Sequence, residues 1–295
     1  RKIFIMALST RPLHSKFGKT NESVNLEKVN ESNLYPEIRE LFEKHSALLF
    51  TNQGLSEETH IKFAQLFGPL ENREAMAKKT DIKFEIPKVS NEDGKGSVFE
   101  ESDLKTLDLK GNMLWHTDST FLPIPALANI IAAKVIPSSG GQTELVSTRV
   151  TLKDLPLEIY KKIEGRKIWH SYAHSRSKID KDLAQLEKIS RWRPQKWNAI
   201  FTNPITGEKS IYIASHSYEI EGYNVEVSLD IIDKIIGFCT QEKYVYSHNW
   251  KKGDVLIWDE RSTLHRGRPW PYSEPRTLNS ICVSVTEKDG LLSLA

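Results

Sequence analysis

Trp115-His116-Thr117-Asp118-Ser119-Thr120-Phe121 sets a histidine and a carboxylate two residues apart. In extended backbone alternate side chains point to the same side, so His116 and Asp118 can present an imidazole and a carboxylate to one point. Taken alone, such a pair more often marks a surface histidine beside an aspartate. Further on, Gly253-Asp254-x3-Trp258-Asp259-x-Arg261-x3-His265 supplies a second histidine after a strand-like run, 254–259, and a short polar turn. Two histidines and one carboxylate on one face of a metal ion leave three positions open, the arrangement that non-haem Fe(II) oxygenases use.

The chain around these residues reads as many short strands. Apolar runs at 46–50, 129–136, 143–146, 210–214, 244–248, 254–259 and 277–285 are broken by turn signals such as Gly140-Gly141. A helix is expected over 35–45, where Pro36 suits the first turn and Ile38, Leu41 and Phe42 make one stripe. Another follows Ser56, which can cap it, with Glu57 and Glu58 in its first turn and Gly68-Pro69 at its end. Two more are expected over 155–165 and 228–239. Few helices among many strands predict a mainly β fold with flanking helices, a sandwich or barrel. No repeat, low-complexity tract or Pro/Gly-rich linker divides residues 1–295, so a single domain is expected. Residues 1–12 read as a flexible N-terminal segment without a secretory leader, Met6 being a candidate start. The polar stretch 175–198, with Trp192 and Trp197 embedded, reads as a lid or insertion over the sheet.

Composition narrows the partners. A chain of 295 residues with 39% hydrophobic content can bury a sizeable core. A formal net charge of +2 gives no nucleic-acid signature. No apolar run approaches the roughly 20 residues of a membrane span. The expected partner is a small-molecule substrate, with no nucleic acid and no membrane; a homo-oligomer is compatible with the sequence. Cys239 and Cys282 lack zinc or CxxC spacing and fit free thiols in a reducing compartment, cytoplasmic or organellar.

Five landmarks extend the pattern: Phe67-Gly68-Pro69-Leu70-Glu71, Trp115 to Phe121, Gly140-Gly141-Gln142-Thr143, Asn203-Pro204-Ile205-Thr206-Gly207, and Trp258 to His265, with Arg276 eleven residues beyond. In order and spacing the sequence resembles the taurine dioxygenase and 2,4-dichlorophenoxyacetate dioxygenase family from about Leu13 to about Val285. The resemblance implies a double-stranded β-helix, or jelly roll, with Fe(II) near its open end on His116, Asp118 and His265. It implies that Thr143 and Arg276 hold the distal carboxylate of the co-substrate 2-oxoglutarate, and that O2 is the oxidant. A planar guanidinium suits a carboxylate, and a hydroxyl alongside adds a donor; read without the resemblance, Arg276 would be a surface ion pair. Arg73, Met76, Asn112, Ser175, Arg176, His216 and Tyr218 match positions that contact or border substrate in relatives. Residue type alone would make Arg73 and Arg176 solvated charges, His216 a loop histidine and Met76 a core filler.

One departure bears on the substrate. Acid-binding relatives carry an arginine fifteen residues after the distal histidine, and here that position is Ser280, preceded by Asn279. Either the substrate has no acidic group there, or Arg73 or Arg176 anchors it. The expectation is oxidation of an unactivated C–H in a small organic acid, an amino-acid-derived acid being one version, with release of succinate and CO2. Hydroxylation is the default outcome, and desaturation or oxidative cyclisation the runner-up. A cupin-like metal-binding protein without oxygenase activity would have no need of Thr143 and Arg276. A protein or nucleic-acid demethylase on the same scaffold would favour a basic face, which the balanced charge does not provide.

Overall fold

The computed structural model describes residues 8–292. Strand alternation builds the core. The larger sheet has seven strands in the order Arg11–Pro12, Lys19–Asn21, Ala47–Phe50, Val255–Asp259, Ala126–Val135, Thr277–Ser284, Lys88–Ser90. Its neighbours run antiparallel except Lys19–Asn21 against Ala47–Phe50. Leu48, Phe50, Ala128, Ile130, Val255, Ile257, Ile281 and Val283 share one face and pack on Ile38, Phe42, Phe63 and Phe67 of the helices Tyr35–His45 and Glu57–Phe67. Residues one step out of phase, Ala47, Leu49, Ile131, Ala133, Leu256, Trp258 and Leu278, form a second cluster on the opposite face. That cluster includes Leu145 of a smaller sheet ordered Tyr246–His248, Thr143–Ser147, Thr263–Gly267. The outer face of the smaller sheet, through Val146 and Leu264, packs on Ile231, Ile232 and Ile235 of the helix Val225–Cys239. Two sheets therefore face each other across shared side chains, with helices on their outsides.

The expected helices at 35–45 and after Ser56 form, and Ser56 accepts a hydrogen bond from the Thr59 N–H. The helix expected from 228 begins at Val225, because the Asn224 side chain caps it. The strand expected over 210–214 shortens to Lys209–Ile211. Helices are more numerous than the sequence predicted: ten α-helical segments occur among the described residues. Several, such as Arg73–Lys78, Tyr172–Ser177 and Lys181–Gln185, are too short to show an apolar period. They begin at side-chain caps instead, on Asn72, Ser171 and Asp180.

Of residues 1–12, those at 1–7, Met6 among them, lie outside the described residues, and Arg11–Pro12 pairs with Lys19–Asn21. The stretch 175–198 packs closely on its surroundings. It contains two short helices and the strand Gln195–Asn198, paired with Lys167–His170. Leu183 and Ile189 are fully buried, and the Trp197 indole donates to the Thr120 carbonyl at 2.6 Å. No described helix is long and apolar enough to cross a membrane. Cys239 and Cys282 are both free.

Candidate metal centre

The backbones of the two candidate histidines pair directly. His116 N–H donates to the His265 carbonyl at 3.0 Å, and His265 N–H donates back at 2.8 Å. Thr117 turns away, its hydroxyl donating to the Thr263 carbonyl at 2.7 Å, and Asp118 returns to the side of His116, as extended backbone requires. His116 Nε2 lies 3.4 Å from Asp118 Oδ1, and His265 Nε2 lies 3.6 Å from Asp118 Oδ2. One ligand atom from each residue falls within 4.8 Å of the others.

Surrounding groups fix these three. His116 Nδ1 sits 2.7 Å from the Leu114 carbonyl, which favours a proton on Nδ1 and leaves the Nε2 lone pair toward Asp118. Asn129 donates its amide N–H to Asp118 Oδ2 at 2.7 Å, and Asp118 N–H donates to Glu260 Oε2 at 2.8 Å. Glu260 also accepts from the Trp258 indole at 2.6 Å. Burial pushes the His265 imidazole down to about 3, so it is neutral and one ring nitrogen keeps a lone pair for a ligand bond. Burial alone would raise the Asp118 carboxyl; the neighbouring His265 and His116 and the Glu260 contact hold it well below the usual carboxylate range. Burial and then the charge of Asp118 push Glu260 well above that range. The sequence gives only weak signals for these supporting residues. Asn129 is a polar residue inside the apolar run Ala126–Val135, and Glu260 occupies the open position of the Trp258–Arg261 block.

Two imidazoles and an anionic carboxylate are a donor set suited to Fe(II). A cavity of about 90 Å³ opens beside them, bordered by Thr143, Trp258, Trp270 and Arg276. Arg276 is buried, and among the described residues its guanidinium hydrogen bonds go to a backbone carbonyl and to no carboxylate. Its Nε and Nη2 donate to the Gly141 carbonyl at 3.2 and 2.8 Å, and its guanidinium lies 4.9 Å from the Trp270 ring centre. Burial lowers its pKa to about 10, which still leaves it charged at neutral pH. Gly141 has φ +70, and a Cβ there would stand 2.9 Å from Arg276 Nε, so glycine lets the loop close on the guanidinium. Thr143 Oγ1 accepts from the Trp250 indole at 3.0 Å, which leaves its own proton for another acceptor. A buried cation lacking an anion, beside a spare hydroxyl donor, fits a carboxylate of 2-oxoglutarate.

His116 and Asp118 also border a larger cavity of about 640 Å³. Arg73, Asn112, Arg176 and His216 border it, together with Phe121, Tyr172, Ser280 and Cys282. Phe121 and Tyr172 stack with centres 4.0 Å apart; the Arg73 guanidinium stands 5.2 Å from Phe121 and that of Arg176 4.8 Å from Tyr172. Both arginines already have acidic partners. Arg73 Nε lies 2.6 Å from Glu71, and Arg176 Nε lies 2.8 Å from Asp108. Arg176 Nη2 also donates to Asn112 at 3.3 Å, and a Cβ on Gly111 would stand 2.6 Å from the Arg176 guanidinium carbon.

Three expected substrate contacts fall elsewhere. Met76 packs into the cluster of Phe121, Leu122, Ile189 and Trp192, because the helix Arg73–Lys78 turns its fourth residue inward. Ser175 is buried against Ser215, hydroxyl to hydroxyl at 2.8 Å. Tyr218 lies beside His174, ring centres 5.6 Å apart, and borders neither cavity.

The chain matches the family described as "Taurine catabolism dioxygenase TauD, TfdA family" over residues 9–282. It is 31% identical over 277 residues to an alpha-ketoglutarate-dependent 2,4-dichlorophenoxyacetate dioxygenase of Cupriavidus pinatubonensis, covering 92% of this chain and 96% of the relative. It is 30% identical to an (S)-phenoxypropionate/alpha-ketoglutarate-dioxygenase of Sphingobium herbicidovorans, covering 92% and 93%. Among solved structures, that of AAD-2 in complex with Mn(II) and N-oxalylglycine superposes with a TM-score of 0.89 at 28% identity, covering 97% of this chain and all of that one.

Proposed function

The chain belongs to the taurine catabolism dioxygenase TauD, TfdA family, and from that premise we propose that it oxidises an unactivated C–H bond of an organic acid, with His116, Asp118 and His265 as iron ligands. It is a 2-oxoglutarate-dependent dioxygenase that uses Fe(II), 2-oxoglutarate and O2 on a small-molecule substrate. Bound at this site, iron with 2-oxoglutarate and O2 supplies an oxidant able to take a hydrogen atom from such a C–H, with succinate and CO2 as co-products. We read the two facing sheets as the halves of a jelly roll.

The single observation that carries the site assignment is Arg276. A buried, charged guanidinium without a protein anion borders the same small cavity as the His-Asp-His cluster. A guanidinium binds a carboxylate bidentately, and the Thr143 hydroxyl donates beside it. The two residues fix which end of 2-oxoglutarate faces the metal. Trp258 and Trp270 wall the cavity and keep water from the reacting atoms. His116 and Asp118 border both cavities, which supports a substrate C–H meeting the metal from the larger one.

For the substrate, an acid is supported by the phenoxy-acid names of the relatives and by Arg73 and Arg176 on the cavity wall. In each arginine the acidic partner takes the Nε edge, and Nη1 has no acceptor among the described residues. The volume of about 640 Å³ suits a ring-bearing molecule. Hydroxylation is the default outcome. A neutral substrate is the second reading, favoured because Glu71 and Asp108 already offset both arginines. The test is a panel of aryloxy, alkyl and amino-acid-derived acids, each with its amide analogue, scored for stimulated succinate release. Stimulation by acids alone supports the first reading; stimulation by amides alone supports the second.

A further inference from the structure

Ser280 borders both cavities and is itself buried. At the position where acid-binding relatives carry an arginine, its hydroxyl turns away from any substrate role and donates to Asn129 Oδ1 at 3.0 Å. The Asp118 carboxylate only accepts, so it draws the NH2 end of the Asn129 amide to Oδ2, 2.7 Å away, and the Ser280 hydroxyl donates to the other end. Among the described residues no amide donates to Asp118 Oδ1, which lies toward His116 Nε2. The strands explain the placement. Ser280 stands opposite Ile131, and Asn129 lies two residues earlier on the same face of the same strand, buried at 3% exposure.

We propose that Asn129 and Ser280 are a positioning pair for the metal carboxylate. By occupying Oδ2, the Asn129 amide makes Asp118 a one-oxygen ligand through Oδ1, and Ser280 keeps the amide from turning over. The inference rests on the reading of His116, Asp118 and His265 as iron ligands. It assigns position 280 to the metal in this chain, so the substrate's polar end must be met from Arg73, Arg176 or Asn112. A carboxylate free to grip with both oxygens would occupy a fourth position on the ion and crowd the co-substrate. Supporting hydrogen bonds to ligands of this kind typically alter metal affinity about 10–100-fold.

The test is anaerobic Fe(II) titration of the apoprotein, read as a dissociation constant, for wild type, Asn129→Leu, Ser280→Ala, Ser280→Thr and Asp118→Ala. Circular dichroism and thermal unfolding of each apoprotein are run in parallel. Asn129→Leu should weaken Fe(II) about 10–100-fold and Ser280→Ala about 5-fold, the worth of one neutral hydrogen bond, with apoprotein spectra unchanged. Ser280→Thr keeps the hydroxyl and should restore wild-type affinity, which a loss through packing alone would not do. If Asp118→Ala loses Fe(II) binding while Asn129→Leu and Ser280→Ala stay within 2-fold of wild type, the positioning role is overturned and the ligand set stands. If Asp118→Ala also binds Fe(II) like wild type, the ligand set itself falls, and the pair's role with it. Should Asn129→Leu misfold, the comparison of Ser280→Ala with Ser280→Thr decides: equal affinities overturn the proposal.

Discussion

Replacing Arg276 with Met should act in opposite directions on two quantities. A guanidinium carries five N–H donors. Two go to the Gly141 carbonyl, from Nε and Nη2, which leaves three, enough for a bidentate carboxylate with one to spare. Loss of two charge-assisted bonds at about 1.5–3 kcal/mol each predicts a deficit of about 3–6 kcal/mol, near the range for truncating one partner of a buried charge pair. The affinity for 2-oxoglutarate should therefore fall by about 10²–10⁴-fold, since 1.4 kcal/mol is tenfold. The apoprotein should respond differently. Its Arg276 is a buried charge lacking an anion, so an apolar side chain of similar length relieves a desolvation cost while losing two bonds to one carbonyl. Unfolding by urea should then show Arg276→Met apoprotein at least as stable as wild type. Anaerobic calorimetry with Fe(II) present reads the first quantity and the denaturation midpoint the second. Unchanged affinity with a clear loss of apoprotein stability would refute the argument, because Arg276 would then serve the fold and not the co-substrate.

Three further outcomes follow from the geometry. His116→Ala, Asp118→Ala and His265→Ala should each abolish Fe(II)-dependent succinate release, and Asp118→Glu should fail too because its longer arm displaces the oxygen; full turnover in Asp118→Ala would sink the ligand set. Arg73→Gln and Arg176→Gln should uncouple the enzyme, lowering oxidised product per succinate while substrate-free decarboxylation of 2-oxoglutarate survives; wild-type coupling in both would favour the neutral substrate. Finally, burial holds His60 at about 4 and His170 at about 3, below the ordinary value near 6.5 in the unfolded chain. Between these values the unfolded state binds more protons, so apoprotein stability is full above pH 6.5 and falls as pH drops toward 4, by up to about 1.4 kcal/mol per pH unit for each such histidine. His60→Asn should flatten that slope in urea denaturation followed across pH, and a wild-type profile flat to pH 4.5 would contradict the assigned burial.

Local alternation and capping were readable in several elements, though the helix Leu104–Gly111 was missed and the helix expected over 155–165 runs only from Leu157 to Ile163. The runs at 46–50 and 254–259 and the helices at 35–45 and after Ser56 appear nearly as expected, because each has an apolar period of its own. The His116-x-Asp118 spacing needs only two residues of extended chain, so it too was legible. What the sequence hid depends on contacts between distant segments. Nothing near Arg176 in the chain announces that Asp108, 68 residues earlier, would take its Nε edge. Met76 and Ser175 sit on helices of six residues, too short for the inward face to be read. Ser280 was visible as a departure, but its bond to Asn129 joins positions 151 residues apart.

The reciprocal backbone pairing of His116 and His265 also governs when the site can exist during folding. It closes a span of 149 residues, and contacts of such separation form late because the chain must first lose the entropy of a large loop. An unfolded chain presents at most the local pair His116 and Asp118, a poor competitor for iron. On the proposed ligand set, iron would arrive at a finished protein, and its binding energy would add to the native state alone. Loading should lengthen the lifetime of the folded molecule and leave the rate of folding unaltered, since the interactions it adds are absent from the transition state. Cells short of iron would then hold an intact but more readily unfolded pool, and metal supply would set abundance through turnover of the protein.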